Sequence, residues 1–252
     1  MGEQSGFDYD RDGKRYTGHR RTDPRIAKDI HAALGPAKTV LNVGAGAGSY
    51  EPEDRYVVAV EPSAAMRAQR PEHRVPAIRG GADSLPFDDG AFDASMAILT
   101  VHHWPDPSRG LRELRRVTKG PVVVMTFDPD ADTEFWMFDY APEMKAVERE
   151  RYVGLDVVAQ ALGGKREVRP VPVPADCIDG FQAAFYARPE SFLDPEVRRV
   201  QSAWKFLPPG VEDRIVDSIA SDLKSGAWEK RYGKLRSKPF INCQLRLMIA
   251  RP

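Results

Sequence analysis

Apolar positions along the chain fall into two alternating patterns. Short β-branched stretches, apolar along their whole length, occur at 39–43, 56–60, 92–99 and 121–127. Helical spacing fills the gaps between them. Thr22-Asp23-Pro24 makes a helix start, after which Ile26, Ile30, Ala33 and Leu34 share a face until Gly35-Pro36 ends it. Residues 63–69 read as a helix capped by Ser63. In 106–117, Leu111, Leu114 and Val117 lie on one side and Arg109, Arg112 and Arg116 on the other. Strands that are apolar on both faces, separated by helices, predict a parallel sheet covered on both sides. The expected class is α/β, doubly wound.

After Asp128 the pattern changes. Helices are expected over 132–149 and 155–162, the second stopped by Gly163-Gly164, and a strand over 166–173. Residues 174–238 read as mainly helical and carry Phe181, Phe185, Tyr186, Trp204, Phe206 and Trp228. A long apolar strand over 240–250 closes the chain. Neither an internal repeat nor a low-complexity linker interrupts it. The expected organisation is an N-terminal helical segment at 1–37, a core at 38–173, a helical insertion at 174–238 and a final core strand at 239–252.

Composition narrows the function. The 252 residues carry 37 basic and 37 acidic side chains and are 42% hydrophobic. A chain of this length buries a sizeable core, and a neutral balance without a basic stretch argues against a nucleic-acid partner. No run approaches the roughly 20 apolar residues of a membrane span. The N-terminus has neither a basic nor an apolar leader region, so a cytoplasmic protein is expected. Cys177 and Cys243 have no metal-ligand spacing, and neither a disulfide framework nor a metal is expected.

The most informative stretch is Val40-Leu41-Asn42-Val43-Gly44-Ala45-Gly46-Ala47-Gly48-Ser49. A strand ends at Val43 and three glycines carry the chain onward, letting the backbone turn sharply and approach a ligand. Glu61 closes the second strand, where a carboxylate suits a ribose diol. A dinucleotide loop would need a third glycine where Ser49 stands, and a phosphate loop would need a lysine that is missing. A plain turn that binds nothing remains the bland alternative.

This loop, followed by Glu61, resembles that of class I S-adenosylmethionine-dependent methyltransferases. Gly80-Gly81-Ala82-Asp83-Ser84-Leu85-Pro86-Phe87 resembles the same family's segment before strand four, and Thr100-Val101-His102-His103-Trp104 its segment after that strand. The pattern is most similar to the small-molecule enzymes of ubiquinone and menaquinone biosynthesis, and it covers about 38–128. The resemblance implies a Rossmann-like seven-stranded sheet, mostly parallel, with an antiparallel final strand. It implies S-adenosyl-L-methionine as cofactor, held by Asn42, Gly44, Ala45, Gly46, Glu61, Pro62, Ser63, Met66, Leu99 and His103. Asp83 would meet the adenine amino group, with Ala82 and Ser84 beside the ring, and Tyr16 and Arg20 would reach over from the N-terminal segment. Asn42 departs from the family, which usually has an acid there.

Methyl transfer is an in-line displacement that rests mostly on positioning. His102 and His103, just after the fourth strand, are the candidate general bases, with Asp128 a weaker one. Trp104, Trp136, Tyr140, Phe181 and Phe185 are candidates for an apolar acceptor pocket, although aromatics at helical spacing are also ordinary core. Asp176, Asp179 and Arg188 are candidates for orienting a charged acceptor. The expected protein is a methyltransferase acting on a natural-product or quinone-like metabolite, monomeric or homodimeric, with the insertion and the N-terminal segment as a lid. An inactive cofactor-binding module or assembly subunit is the alternative, supported by Asn42. A dinucleotide oxidoreductase is a third reading.

Overall fold

Asp23 and Pro24 start a helix for the reason their order suggests. In the computed structural model, which describes Asp10, Gly18 and residues 20–252, the Asp23 side chain accepts from the Arg25 amide at the head of α1 (Pro24–Ala33). That helix buries Ile26, Ala27, Ile30 and Ala33. Then come β1 (Thr39–Val43) and β2 (Tyr56–Val60). The short α2 (Ala64–Ala68) follows, with Ser63 Oγ accepting from the Met66 amide. β3 (Ala94–Ile98) leads to α3 (Pro107–Arg116), capped by Asp106, and to β4 (Val122–Phe127).

The helix expected over 132–149 divides into α4 (Met137–Tyr140) and α5 (Pro142–Arg151). Pro142 has no amide hydrogen to continue the first and is well placed to begin the second. α6 (Leu155–Leu162) and β5 (Lys165–Pro174) follow. The insertion holds α7 (Pro195–Arg199), α8 (Val211–Ser225) and α9 (Ala227–Tyr232), joined by 3₁₀ turns, before β6 (Phe240–Arg251).

The sheet has six strands among the described residues, ordered β2-β1-β3-β4-β6-β5. Pairs among β1 to β4 are parallel, and β6 runs antiparallel between β4 and β5. The seventh strand of the expected sheet is reduced to one parallel bridge, Val60 to Ile78, at the β2 edge. Pro71 and Pro76 lie in the segment that would have formed it, and each removes a ladder donor. One face of the sheet packs on α3 and α6 through Leu111, Leu114, Val158 and Leu162. The other face packs on α1, the start of α4 and the insertion through Ile26, Ile30, Trp136, Phe192 and Trp228. The insertion thus shares a core with the sheet, and β1, β2 and β3 all point their carboxyl ends at one crevice, as open α/β sheets do around a ligand.

Candidate active site

The glycine bend hangs from the end of β2. The amides of Gly44 and Ala45 both donate to the Val60 carbonyl, at 2.9 and 3.1 Å. Gly44, Gly46 and Gly48 take φ of 69°, 52° and 94°, the left-handed region that favours glycine. At Gly44 the protein itself requires the missing side chain, because a Cβ there would stand 2.0 Å from Thr100 Oγ1. At Gly46 the nearest protein atom to such a Cβ is Met66 Cε at 3.3 Å.

Glu61 clamps the bend. Its Oε2 accepts from the Gly46 amide and its Oε1 from the Ser63 amide, each at 2.8 Å. The carboxyl is 6% exposed, and burial raises its pKa against the opposing pull of those two amides. Each oxygen keeps an accepting lone pair beyond the bond it already makes.

Beside the bend, Asn42 Nδ2 donates to Glu51 Oε1 at 3.0 Å, while its Oδ1 is buried and has no partner. Glu51 is itself held by Arg70 through two bonds of 3.0 and 2.9 Å. The amide at position 42 therefore has a local cause: an acid there would face the Glu51 carboxylate. The unpartnered Oδ1 is a spare acceptor on a residue that belongs to the cavity wall. The bend, the Glu61 carboxylate and this acceptor fit a nucleoside joined to an amino acid, so the residues present suit S-adenosylmethionine.

These groups wall a cavity of about 1090 Å³. It brings together Arg20, Asn42, Gly44, Ala45, Gly46 and Glu61, and continues along Pro62, Ser63, Met66 and Ala82. Leu99, His102, His103 and Trp104 complete it from the end of β3. Leu99 holds a left-handed φ of 52° at that turn. Gly110 on α3 admits Trp104, since a Cβ would lie 2.5 Å from its ring. Asp10 also reaches the cavity, its carboxylate accepting from Ser63 Oγ at 2.6 Å and the Ala65 amide at 3.0 Å.

Several expected residues sit elsewhere. Asp83 and Ser84 stand off the wall, behind Gly81 and Ala82, which do line it. Tyr16 lies outside the described residues. Trp136 and Tyr140 are core: the Trp136 indole donates to the Tyr186 carbonyl and packs against Phe192 and Trp228, and the Tyr140 hydroxyl donates to Asp222. Phe185 packs on Phe192 and carries the Arg188 guanidinium over its ring. Asp176 pairs with Arg25 at the surface. Burial pushes the Cys177 thiol up to about 12 and Cys243 up to about 11, which leaves both inert.

Behind the histidines lies a smaller chamber of about 50 Å³. Arg20, Leu99, His102, His103 and Tyr152 belong to the walls of both spaces. Phe127, Phe135, Phe138 and Phe181 line the inner one together with Glu148, Gln201 and Gln244. Burial lowers both histidines, helped by the charges of Arg151 and Arg20: His102 falls well below its usual range and His103 to about 3. Glu148, by contrast, is pushed up by burial to about 7. Sequence reasoning missed it because it lies in Val-Glu-Arg-Glu-Arg, which reads as a solvated face. Its spacing of four from buried Met144 was the available signal. Glu51, Thr100, Tyr50, Arg151 and Tyr152 were missed as well.

Residues 41–125 match the family model for a methyltransferase domain. The demethylmenaquinone methyltransferase of Mycolicibacterium gilvum is 40% identical over 100 residues, 37% of this chain and 44% of that protein. The chloroplastic 2-methyl-6-phytyl-1,4-hydroquinone methyltransferase 2 of Oryza sativa subsp. japonica is 29% identical over 115 residues, 42% of this chain and 33% of that one. The chain thus spans less than half the length of these curated relatives. A protein of Anabaena variabilis, provisionally assigned as a methyltransferase from an antibiotic biosynthesis pathway, superposes with a TM-score of 0.84 at 28% identity, covering 92% of this chain and 98% of its own.

Proposed function

We propose, from the premise that the chain carries a class I S-adenosylmethionine-dependent methyltransferase domain, that it transfers a methyl group to a small hydroquinone-like acceptor. The observation that carries this reading is the Glu61 clamp on the Gly46 amide at the mouth of a cavity large enough for a nucleoside and an acceptor together. Ligand sites of this kind are concave and mostly apolar, with a few convergent polar groups. The names of the quinone-type relatives support the acceptor class.

In this reading the remaining lone pairs of Glu61 take the ribose hydroxyls, with Pro62, Ser63 and Met66 beside them. Asn42 Oδ1 takes the amino group of the methionine portion, and Gly44 to Gly46 lie under its chain. Ala82 covers the adenine, and Asp83 and Ser84 stand behind it. Bound there, the cofactor supplies an electrophilic methyl on sulfur. The protein holds the acceptor in line with it and excludes water, which is where most of the rate of such a displacement arises. Leu99, His102, His103 and Trp104 form the partition at which the two meet. Residues 174–238 close over the site in this reading, with Phe206 in the cavity wall and Arg20 beside it. The inactive-module alternative rests on Asn42, which donates to the neighbouring Glu51, and turnover rather than binding separates it from this reading.

Titration calorimetry with S-adenosylhomocysteine tests the reading. The wild type is expected to bind. Glu61→Ala, which removes one or more charged hydrogen bonds of about 1.5–3 kcal/mol each, is expected to weaken binding at least tenfold. No binding by the wild type, or equal affinity in the variant, would sink the assignment.

A further inference from the structure

Among the described residues, the acids and bases in the wall of the main cavity are Asp10, Arg20, Glu61, Glu150 and Arg151. Asp10 and Glu61 are both engaged at the donor end, the first by Ser63 Oγ and the second by the Gly46 and Ser63 amides. Arg20 is matched by Asp179, which is 2% exposed and bonds it at 2.6 Å. Glu150 is exposed, where water and salt screen it. Arg151 is left over. It is half-buried at the end of α5 and makes no ion pair with a described residue. Glu148, one turn earlier, feels its charge without bridging to it.

The Arg151 guanidinium is nevertheless held in place. It lies 4.3 Å from the centroid of the Phe206 ring, itself part of the cavity wall. Its Nη2 donates to Ser202 Oγ at 3.0 Å, and its Nη1 is enclosed without a partner. Ser202 and Phe206 are the two ends of one 3₁₀ turn of the insertion, so a single element of the cover fixes the cation. The next residue, Tyr152, packs on the His102 ring at 4.3 Å between centroids, which sets Arg151 beside the partition where donor and acceptor meet. A fixed, half-buried cation without a counter-ion carries a desolvation cost that an anion in the cavity would offset.

We propose that the acceptor is a carboxylated hydroquinone-like ring, chosen over its uncharged counterpart because its carboxylate pairs with Arg151. This rests on the cavity being the methyl-donor site and narrows the acceptor class of that same site. One unmatched guanidinium calls for one negative charge, and its planar fork suits a carboxylate. The methyl donor has a carboxylate of its own, but its methionine portion lies at Asn42 and the glycine bend. Arg20 is the cation tied to that end, through Asp179 and the Tyr50 hydroxyl. A cavity of about 1090 Å³ has room for the donor and a substituted ring together.

The test uses the full chain, saturated with S-adenosylhomocysteine and titrated at neutral pH under reducing conditions with two matched pairs of ligands. These are 2,5-dihydroxybenzoate against hydroquinone, and 1,4-dihydroxy-2-naphthoate against 1,4-dihydroxynaphthalene. In at least one pair, wild type is expected to bind the carboxylated member at least tenfold more tightly, the scale of one charge-assisted pair. Arg151→Gln should bind S-adenosylhomocysteine as wild type does and lose that preference. Arg151→Lys, which keeps the charge without the fork, should keep part of it. The wild-type ratio is a test by itself and needs no variant to fold. Equal binding within both pairs, no saturable binding of either carboxylate, or an Arg151→Gln variant that keeps the preference overturns the inference and leaves the donor site standing. Weaker S-adenosylhomocysteine binding by a folded Arg151→Gln would assign the residue to the donor's own carboxylate and overturn it too. Failure of wild type to bind S-adenosylhomocysteine overturns both readings together.

Discussion

The Tyr50 hydroxyl donates to Asp179 Oδ2 at 2.7 Å, tying the segment after the glycine bend to the insertion 129 residues later. The other oxygen of Asp179 accepts from Arg20 Nε at 2.6 Å. Three parts of the chain thus meet on one carboxylate that is 2% exposed. Tyr50 takes a left-handed φ of 64° to reach it, an unusual conformation for a bulky residue. Burial and the adjacent carboxylate raise the tyrosine well above its ordinary pKa, so it acts as a neutral donor.

Tyr50→Phe removes one hydrogen bond to a charged group and is expected to cost about 1.5–3 kcal/mol in thermal unfolding. Asp179→Ala also strips Arg20 of this partner. Its loss should approach the roughly 3–5 kcal/mol of breaking a buried pair. Equal melting temperatures for wild type and Asp179→Ala would show that the clasp contributes nothing.

Asn42→Asp tests why an amide stands beside the bend. The new carboxylate would face Glu51 with no added cation, so a fall in melting temperature and weaker binding of S-adenosylhomocysteine are expected. Adding Glu51→Gln should recover part of both, since it removes the like charge. If Asn42→Asp alone binds as tightly as wild type, the repulsion argument is wrong.

The two glycines of the bend should fail differently. Gly44→Ala places a Cβ 2.0 Å from Thr100 Oγ1 at a φ of 69°, and a poorly folded or strongly destabilised protein is expected. Gly46→Ala has its nearest protein contact at 3.3 Å and should show mainly the left-handed backbone cost of roughly 1–2 kcal/mol. Thermal melts that rank the two variants the other way round would contradict this division.

Much of this fold was legible before the structure. The strands at Thr39–Val43 and Tyr56–Val60 and the helix at Leu155–Leu162 were readable to the residue because each is an unbroken pattern between clear stops. The glycine bend and Glu61 were legible because backbone geometry restricts which residues serve there. What escaped depended on which way a side chain faces after the chain has folded. Trp136 and Phe181 are both buried aromatics of the second half, yet only Phe181 also lines the inner chamber. Asp83 carries the right chemistry but stands off the wall. Glu148 is charged in a charged run, and only the packing of α5 against α4 and the 3₁₀ turn at Ser202–Phe206 turns it inward. A one-residue bridge at Ile78 replaces a strand because two prolines interrupt its donors.

The half-buried histidines and the buried glutamate should act on stability with opposite signs. His103 titrates at about 3 in the folded chain against 6.5 when unfolded, and His102 is depressed in the same direction. Between those values the unfolded chain binds the extra protons, so their contribution is full above pH 6.5 and is lost as pH falls towards 3. Glu148 titrates at about 7 against 4.5, so there the folded chain binds the proton. Its contribution is full below 4.5 and is lost as pH rises to about 7, roughly 3 kcal/mol for a shift of that size. Melting temperature measured from pH 4 to 8 separates the two. His103→Asn should flatten the acid side, and Glu148→Gln should remove the decline approaching neutrality. A Glu148→Gln curve running parallel to wild type would mean that this carboxyl is already ionised, and hence solvated, in the folded protein.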